Sequence, residues 1–244
     1  MILVLLLVGA GLVTLAHTAP FPFLLEYLGP GRSVWHMPRT DGVPTVYLTY
    51  DDGPNPTATP ELLDVLARER IAATFFVIPT HVTTETAPIL RRIADDGHAI
   101  AMHSGSREPM FADPETFAAA LEADAARVGD AAGRAPCPLY RPHAGWRGGA
   151  MYDALDRADY RLAGWSFGMW DWNWWRPSRP DRLATRLADR ASDGDIIVMH
   201  DGHHEDPRAD RQATVEATAQ LIPLLRGRGF RFGRLCELTR DARR

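Results

Sequence analysis

Lysine is absent from all 244 residues, so every basic side chain is an arginine. That absence excludes Schiff-base chemistry and a Walker-type phosphate loop, both of which need a lysine amine. Cysteine is nearly absent as well. Cys137 and Cys236 are too few and too widely spaced for a disulfide framework or a thiolate zinc site. They read either as a pair, in an exported protein, or as two buried free thiols. An excess of basic charge is also missing. With a net charge of −4 and no stripe of arginines interleaved with aromatics, nothing argues electrostatically for a nucleic-acid partner. Low-complexity tracts and internal repeats are lacking too, which leaves an ordinary globular composition, long enough for one α/β domain or two small ones.

Charge is missing locally at the start. No charged residue precedes Glu26, and MILVLLLVGAGLVTLA is apolar without a break. Sixteen residues fall short of the roughly 20 that span a bilayer, but counting on through Leu25 reaches that length. An anchor and a cleaved secretory signal, with Ala16 at the cleavage point, both remain open; the missing basic n-region counts against the signal. A buried N-terminal helix is the third reading. The expectation is a membrane-associated or exported protein of the cell envelope. Residues 1–25 form the apolar segment, 26–44 a linker dotted with Pro and Gly, and 45–240 the domain.

Within that domain the pattern alternates. Strand-like runs stand at 45–50, 73–78, 98–103, 160–166, 195–200 and 230–235. Helical stretches fall at about 59–69, 84–96, 114–128, 149–158, 180–192 and 213–228. Thr59 is placed to cap the first of these with Pro60 in the first helical position, and Gly97 to end the second. Such alternation predicts parallel βα units in a barrel or a doubly wound sheet. The polar clusters follow strands: Asp51-Asp52, His103, the stretch Trp165 to Trp175, and His200. In a βα barrel those strand ends converge on one face, where active sites form. TYDDGPNP (49–56), which by itself reads as a turn, therefore shares a face with two histidines and an arginine.

Five motifs now stand in order: TYDDGP, HSGSR (103–107), RPHAG (141–145), WSFGMWDW (165–172) and VMH (198–200). In that order they resemble the polysaccharide deacetylases of the NodB-homology type, carbohydrate esterase family 4, over residues 45–240. The resemblance implies a distorted, incomplete (β/α) barrel. It also implies a metal-dependent hydrolase removing acetyl groups from N-acetylglucosamine-type polysaccharide or oligosaccharide. By the same resemblance Asp51 is the general base, Arg141 its partner, and His200 the general acid oriented by Asp171. Asp52 and His103 are ligands of a divalent metal, usually zinc. The backbone N–H of Ala144 completes an oxyanion hole, and Trp172 is the tryptophan that touches the sugar, the others being packing.

The pattern breaks at Arg107. The family's second motif carries a second metal histidine there, and a guanidinium has no lone pair to donate. Three outcomes follow. Another group supplies the ligand, the candidates being His143, His203 and His204, although HHED (203–206) also reads as a solvated loop. Alternatively Asp52, His103 and water hold the metal more weakly. In the third outcome Arg107 pairs with Asp52 and excludes the metal. A smaller departure is Gly168, where the family often has a polar residue. The alternative to an enzyme is a non-catalytic carbohydrate-binding pseudoenzyme. The persistence of base, acid and both their partners favours the hydrolase.

Overall fold

The computed structural model describes residues 2–18, 32–39, 42–172 and 179–237. In chain order the elements are α1 (Ile2–Thr18), β1 (Ser33–Val34), β2 (Thr45–Gly53), α2 (Ala58–Glu69), β3 (Thr74–Val77), α3 (Ala87–Asp95), β4 (Ala99–His103) and α4 (Pro114–Ala132). There follow β5 (Leu139–Arg141), α5 (Gly149–Arg157), β6 (Arg161–Ala163), β7 (Phe167–Gly168), α6 (Pro180–Arg190), β8 (Ile196–His200), α7 (Gln212–Gly227) and β9 (Arg231–Phe232). The strands form one parallel sheet in the order β1-β6-β5-β4-β3-β2-β8-β7, with β9 added on β2. Neighbouring strands joined through helices, as the alternation predicted, curl this sheet into the distorted, incomplete (β/α) barrel that the resemblance implied. The central strands β3, β4 and β8 are buried along their whole length, as strands covered on both faces must be.

Helix α2 turns Leu62, Leu63, Val65 and Leu66 toward the sheet. Its start differs from expectation. Asn55 Oδ1 accepts from the N–H groups of Thr57 and Ala58, so the helix opens before Thr59. The buried Thr59 hydroxyl serves elsewhere: it accepts from Asn55 N–H (2.8 Å) and donates to Asp201 Oδ2 (2.5 Å). Helix α3 ends at Asp95, with Gly97 in the left-handed region just beyond it (φ 84°).

The stretch read as a linker also differs. Within 26–44, Ser33–Val34 is an edge strand paired with β6, and Trp35 is buried edge-on against Trp165 at 5.7 Å. A two-residue strand is too short to show a period, which is why only its Pro/Gly surroundings were legible. The 160–166 run is strand only over β6, and at Gly164 just beyond it the Trp35 ring lies where a side chain would stand.

The 17 residues of α1 extend about 26 Å, short of the ~30 Å hydrocarbon core. No helix among the described residues is long and apolar enough to cross a membrane. The side chains of Ile2 to Val8 and of Leu12 are exposed. Cys137 and Cys236 form a disulfide, with Cα atoms 5.7 Å apart, which decides between the two readings of the cysteines.

Candidate active site

Asp51 ends the regular part of β2 and pairs in register with His200 of β8, while His103 of β4 pairs with Arg141 of β5. Four strands thus deliver four predicted residues to one edge of the sheet. Asp52 needs an extra device, since consecutive strand residues face opposite ways. Here the register shifts between Asp51 and Gly53, and Asp52 adopts a left-handed conformation (φ 70°). Both carboxylates consequently line one cavity of about 490 Å³. His103, Ala144, Trp172 and His200 line it too, as do Arg107, His143, His203 and His204.

Arg141 and Asp171 stand behind that cavity. The fully buried guanidinium of Arg141 donates to Asp51 Oδ1 (2.6 Å), Thr49 Oγ1 (2.8 Å) and the Gly164 carbonyl (2.7 Å), and lies 3.7 Å from the Phe76 ring centre. With Nε donating to the Ala163 carbonyl as well (3.3 Å), each guanidinium nitrogen has a partner, as a buried cation requires. Burial pushes the Arg141 pKa down, against the carboxylate of Asp51, which raises it. Asp171 Oδ2 accepts from the backbone N–H of His200 (2.6 Å) and from Thr214 Oγ1 (3.0 Å), and its Oδ1 takes the Nδ1–H of His200 (3.0 Å). Burial opposes charge on this pair. The mutual attraction of His200 and Asp171 prevails, lowering the aspartate and raising the histidine.

His103 donates Nδ1–H to the Arg141 carbonyl (2.7 Å), which leaves Nε2 as the nitrogen with a lone pair. That nitrogen faces Asp52 Oδ1 at 3.2 Å, a spacing without hydrogen-bond alignment, and Oδ1 accepts no hydrogen bond. Two acceptor atoms face each other inside the protein, where only a cation between them relieves the repulsion. Without a metal, the cation is a proton: burial lowers the His103 pKa, but the charges of Asp51 and Asp52 raise it further. The Asp52 carboxyl, despite its burial, is held well below the usual range by His103. Oxygen and neutral imidazole donors suit a zinc-class ion, so Asp52 and His103 fit one in kind. Among the described residues no three His, Cys, Asp or Glu side chains converge at ligand spacing.

Arg107 does not pair with Asp52. Its guanidinium lies 4.6 Å from the Trp146 ring centre, and among the described residues it forms no ion pair. Ala144 sits at the cavity in a left-handed conformation (φ 48°). Trp172 packs 4.9 Å from His200 and stacks parallel to His203 at 5.0 Å. Trp165, expected as packing, is buried but also lines the cavity. Trp174 and Trp175 lie outside the described residues. Gly168 has a backbone reason for lacking a side chain, because a Cβ there would overlap the Val198 carbonyl across the β7–β8 pair.

Two buried groups near the site were not found from sequence. Asp201 lies against Gly53, leaving no room for a Cβ there, and burial raises its pKa to about 7. His81 donates Nδ1–H to the Asp52 carbonyl (3.1 Å). Only the G in DDGP hinted at the first; the second had no signal.

Comparison with known proteins converges on one family. The polysaccharide deacetylase profile matches residues 39–163. A chitooligosaccharide deacetylase of Sinorhizobium fredii is 35% identical over 210 residues, covering 80% of this chain and 92% of its own. Among solved structures, a peptidoglycan N-acetylglucosamine deacetylase superposes with a TM-score of 0.73 at 25% identity, over 87% of this chain and 95% of the other. A family 4 acetyl xylan esterase from Clostridium thermocellum, in complex with a cobalt ion, gives 0.70 at 29% identity, over 81% and 91%.

Proposed function

Because the chain belongs to the polysaccharide deacetylase family and is a hydrolase, we propose that it removes acetyl groups from N-acetylglucosamine-type oligosaccharide or polysaccharide. The observation that carries this reading is the pair of buried, partnered groups at one cavity: Asp51 held by Arg141, and His200 held by Asp171. Two titratable groups with separately set environments are what acid and base roles require. In this reading Asp51 takes a proton from the attacking water. Arg141 pairs with it at 2.6 Å and aims it. His200, with Nδ1–H committed to Asp171, presents Nε2 to the cavity and protonates the leaving amine. The Ala144 N–H stabilises the developing oxyanion, and Trp172 offers a ring face to the sugar.

Asp52 and His103 would hold a divalent metal, zinc being the first candidate. When bound, such an ion polarises the acetyl carbonyl and lowers the pKa of water toward 7. The related esterase solved with cobalt supports a site of this class. The proposed setting is the cell envelope, with the N-terminal apolar segment as anchor or signal. The exposed apolar side chains of α1 and the disulfide, a bond of oxidising compartments, support it.

The test is acetate release from N-acetylglucosamine oligomers by the full chain, with and without chelator. Turnover should fall at least about 100-fold in Asp51→Asn, by the scale of general-base catalysis. Sugar binding that persists in a chain without any turnover would favour the carbohydrate-binding alternative.

A further inference from the structure

We propose that His204 is the third protein ligand of the metal site, taking the place that Arg107 leaves vacant. The inference rests on the metal-dependent reading above and adds the residue that completes it.

The loop after β8 is built against the two ligands already named. His81 ties it down: the ring that donates to the Asp52 carbonyl also faces the backbone carbonyl of His204. On the other side, a Cβ at Gly105 would stand 3.8 Å from that same carbonyl. His204 therefore lies between the end of β2 and the HSGSR loop, on the cavity that Arg107 also lines. Its ring packs 4.5 Å from His143 and 5.4 Å from Trp172, on the wall of the cavity that holds Asp52 and His103.

The ring's chemistry suits the role. His204 Nε2 faces Glu205 Oε1 at 3.8 Å, and Nδ1 is buried without a partner. A buried polar atom with no partner is uncommon and calls for one. Asp52 Oδ1, which faces only His103 Nε2 at 3.2 Å, lines the same cavity. The rival histidines fit less well. His203 Nδ1 already accepts from the N–H groups of Glu205 and Asp206. Its neutral ring then carries the proton on Nε2 and has no lone pair to give. No ring nitrogen of His143 is buried without a partner. Because three donors do not converge in the structure, the proposal includes movement of the His204 side chain as the ion binds.

The experiment measures zinc and cobalt affinity of the full chain by competition with a chromophoric chelator, independent of turnover. Far-ultraviolet circular dichroism confirms folding of each variant. His204→Ala should weaken binding more than about 100-fold, beyond the 10–100-fold typical of groups behind a ligand, while His143→Ala and His203→Ala change it less than tenfold. Adding Arg107→His to His204→Ala should restore affinity, which a folding defect would not allow. Wild-type affinity in His204→Ala, or the large loss in His143→Ala instead, would overturn the assignment and leave the metal-dependent reading standing. A wild-type chain that binds neither ion would overturn both.

Discussion

Asp51 and Asp52 are neighbours in sequence with opposite surroundings. Asp51 meets a permanent cation through a 2.6 Å contact with Arg141, whereas Asp52 meets the His103 imidazole, with Oδ1 3.2 Å from Nε2. Removing Arg141 would strand a buried charge. Arg141→Met should therefore destabilise the fold by about 3–5 kcal/mol, the usual effect of breaking a buried pair on one side only, read as a lower urea midpoint. The His200–Asp171 pair makes a prediction of different sign. Burial alone would lower the histidine's pKa, and the Asp171 carboxylate raises it, so His200 stays protonated to higher pH than an isolated imidazole. A general acid works only while protonated, and the alkaline limb of the kcat profile follows its deprotonation. Asp171→Asn removes the charge and leaves the burial, so that limb should move to lower pH, with more activity lost at pH 8 than at pH 6. An unmoved limb would show that His200 is not the acid.

At the scale of elements, the site depends on where strands end and what packs beneath those ends. Asp201, just past β8, reaches Thr59 in the first turn of α2 and closes over Gly53 at the end of β2. Burial raises its pKa from 3.8 to about 7, so between those values the folded protein holds a proton that the unfolded chain has released. Stability from this group is therefore complete below pH 3.8 and declines as pH rises toward 7. Asp201→Asn has no proton to lose. Its melting temperature should gain on the wild type progressively from pH 4 to pH 7; parallel curves would refute the buried acid. Asp201 also marks the limit of what the sequence discloses. The long strands β2, β4 and β8 were legible as apolar runs ending in polar clusters, and the ordered motifs at their ends named Asp51, His103, Arg141 and His200. Strands β1, β5 and β7 were not, since two or three residues show no period and their pairing is decided by distant partners. Thr59 looked like a cap because local rules could not see Asp201, 142 residues away. The place of Arg107 over Trp146 is a product of packing that no motif discloses.

For the molecule as a whole, the disulfide joins the start of β5 to the chain beyond β9, across a sequence separation of 99. Around it, Cys137 N–H donates to the Ile100 carbonyl near the start of β4, and Leu235 N–H to Thr74 Oγ1 at the start of β3. The bond therefore fastens the end of the sheet opposite the cavity, where Asp51, His103 and His200 stand at the other strand ends. Closing so long a loop restricts the unfolded chain, with a typical contribution of about 2–4 kcal/mol. At roughly 2–4 °C per kcal/mol for a domain of this size, reduction or the double change Cys137→Ser/Cys236→Ser should lower the melting temperature by about 4–16 °C. The site lies at the far end of the strands and does not use the bond, so kcat at 25 °C should stay within about twofold. A reductant that leaves the melting curve in place would return the two cysteines to the free-thiol reading and remove one of the two supports for an oxidising compartment. A drop in melting temperature with turnover intact separates the two ends of the barrel: one holds the chain together, and the other is left free for chemistry.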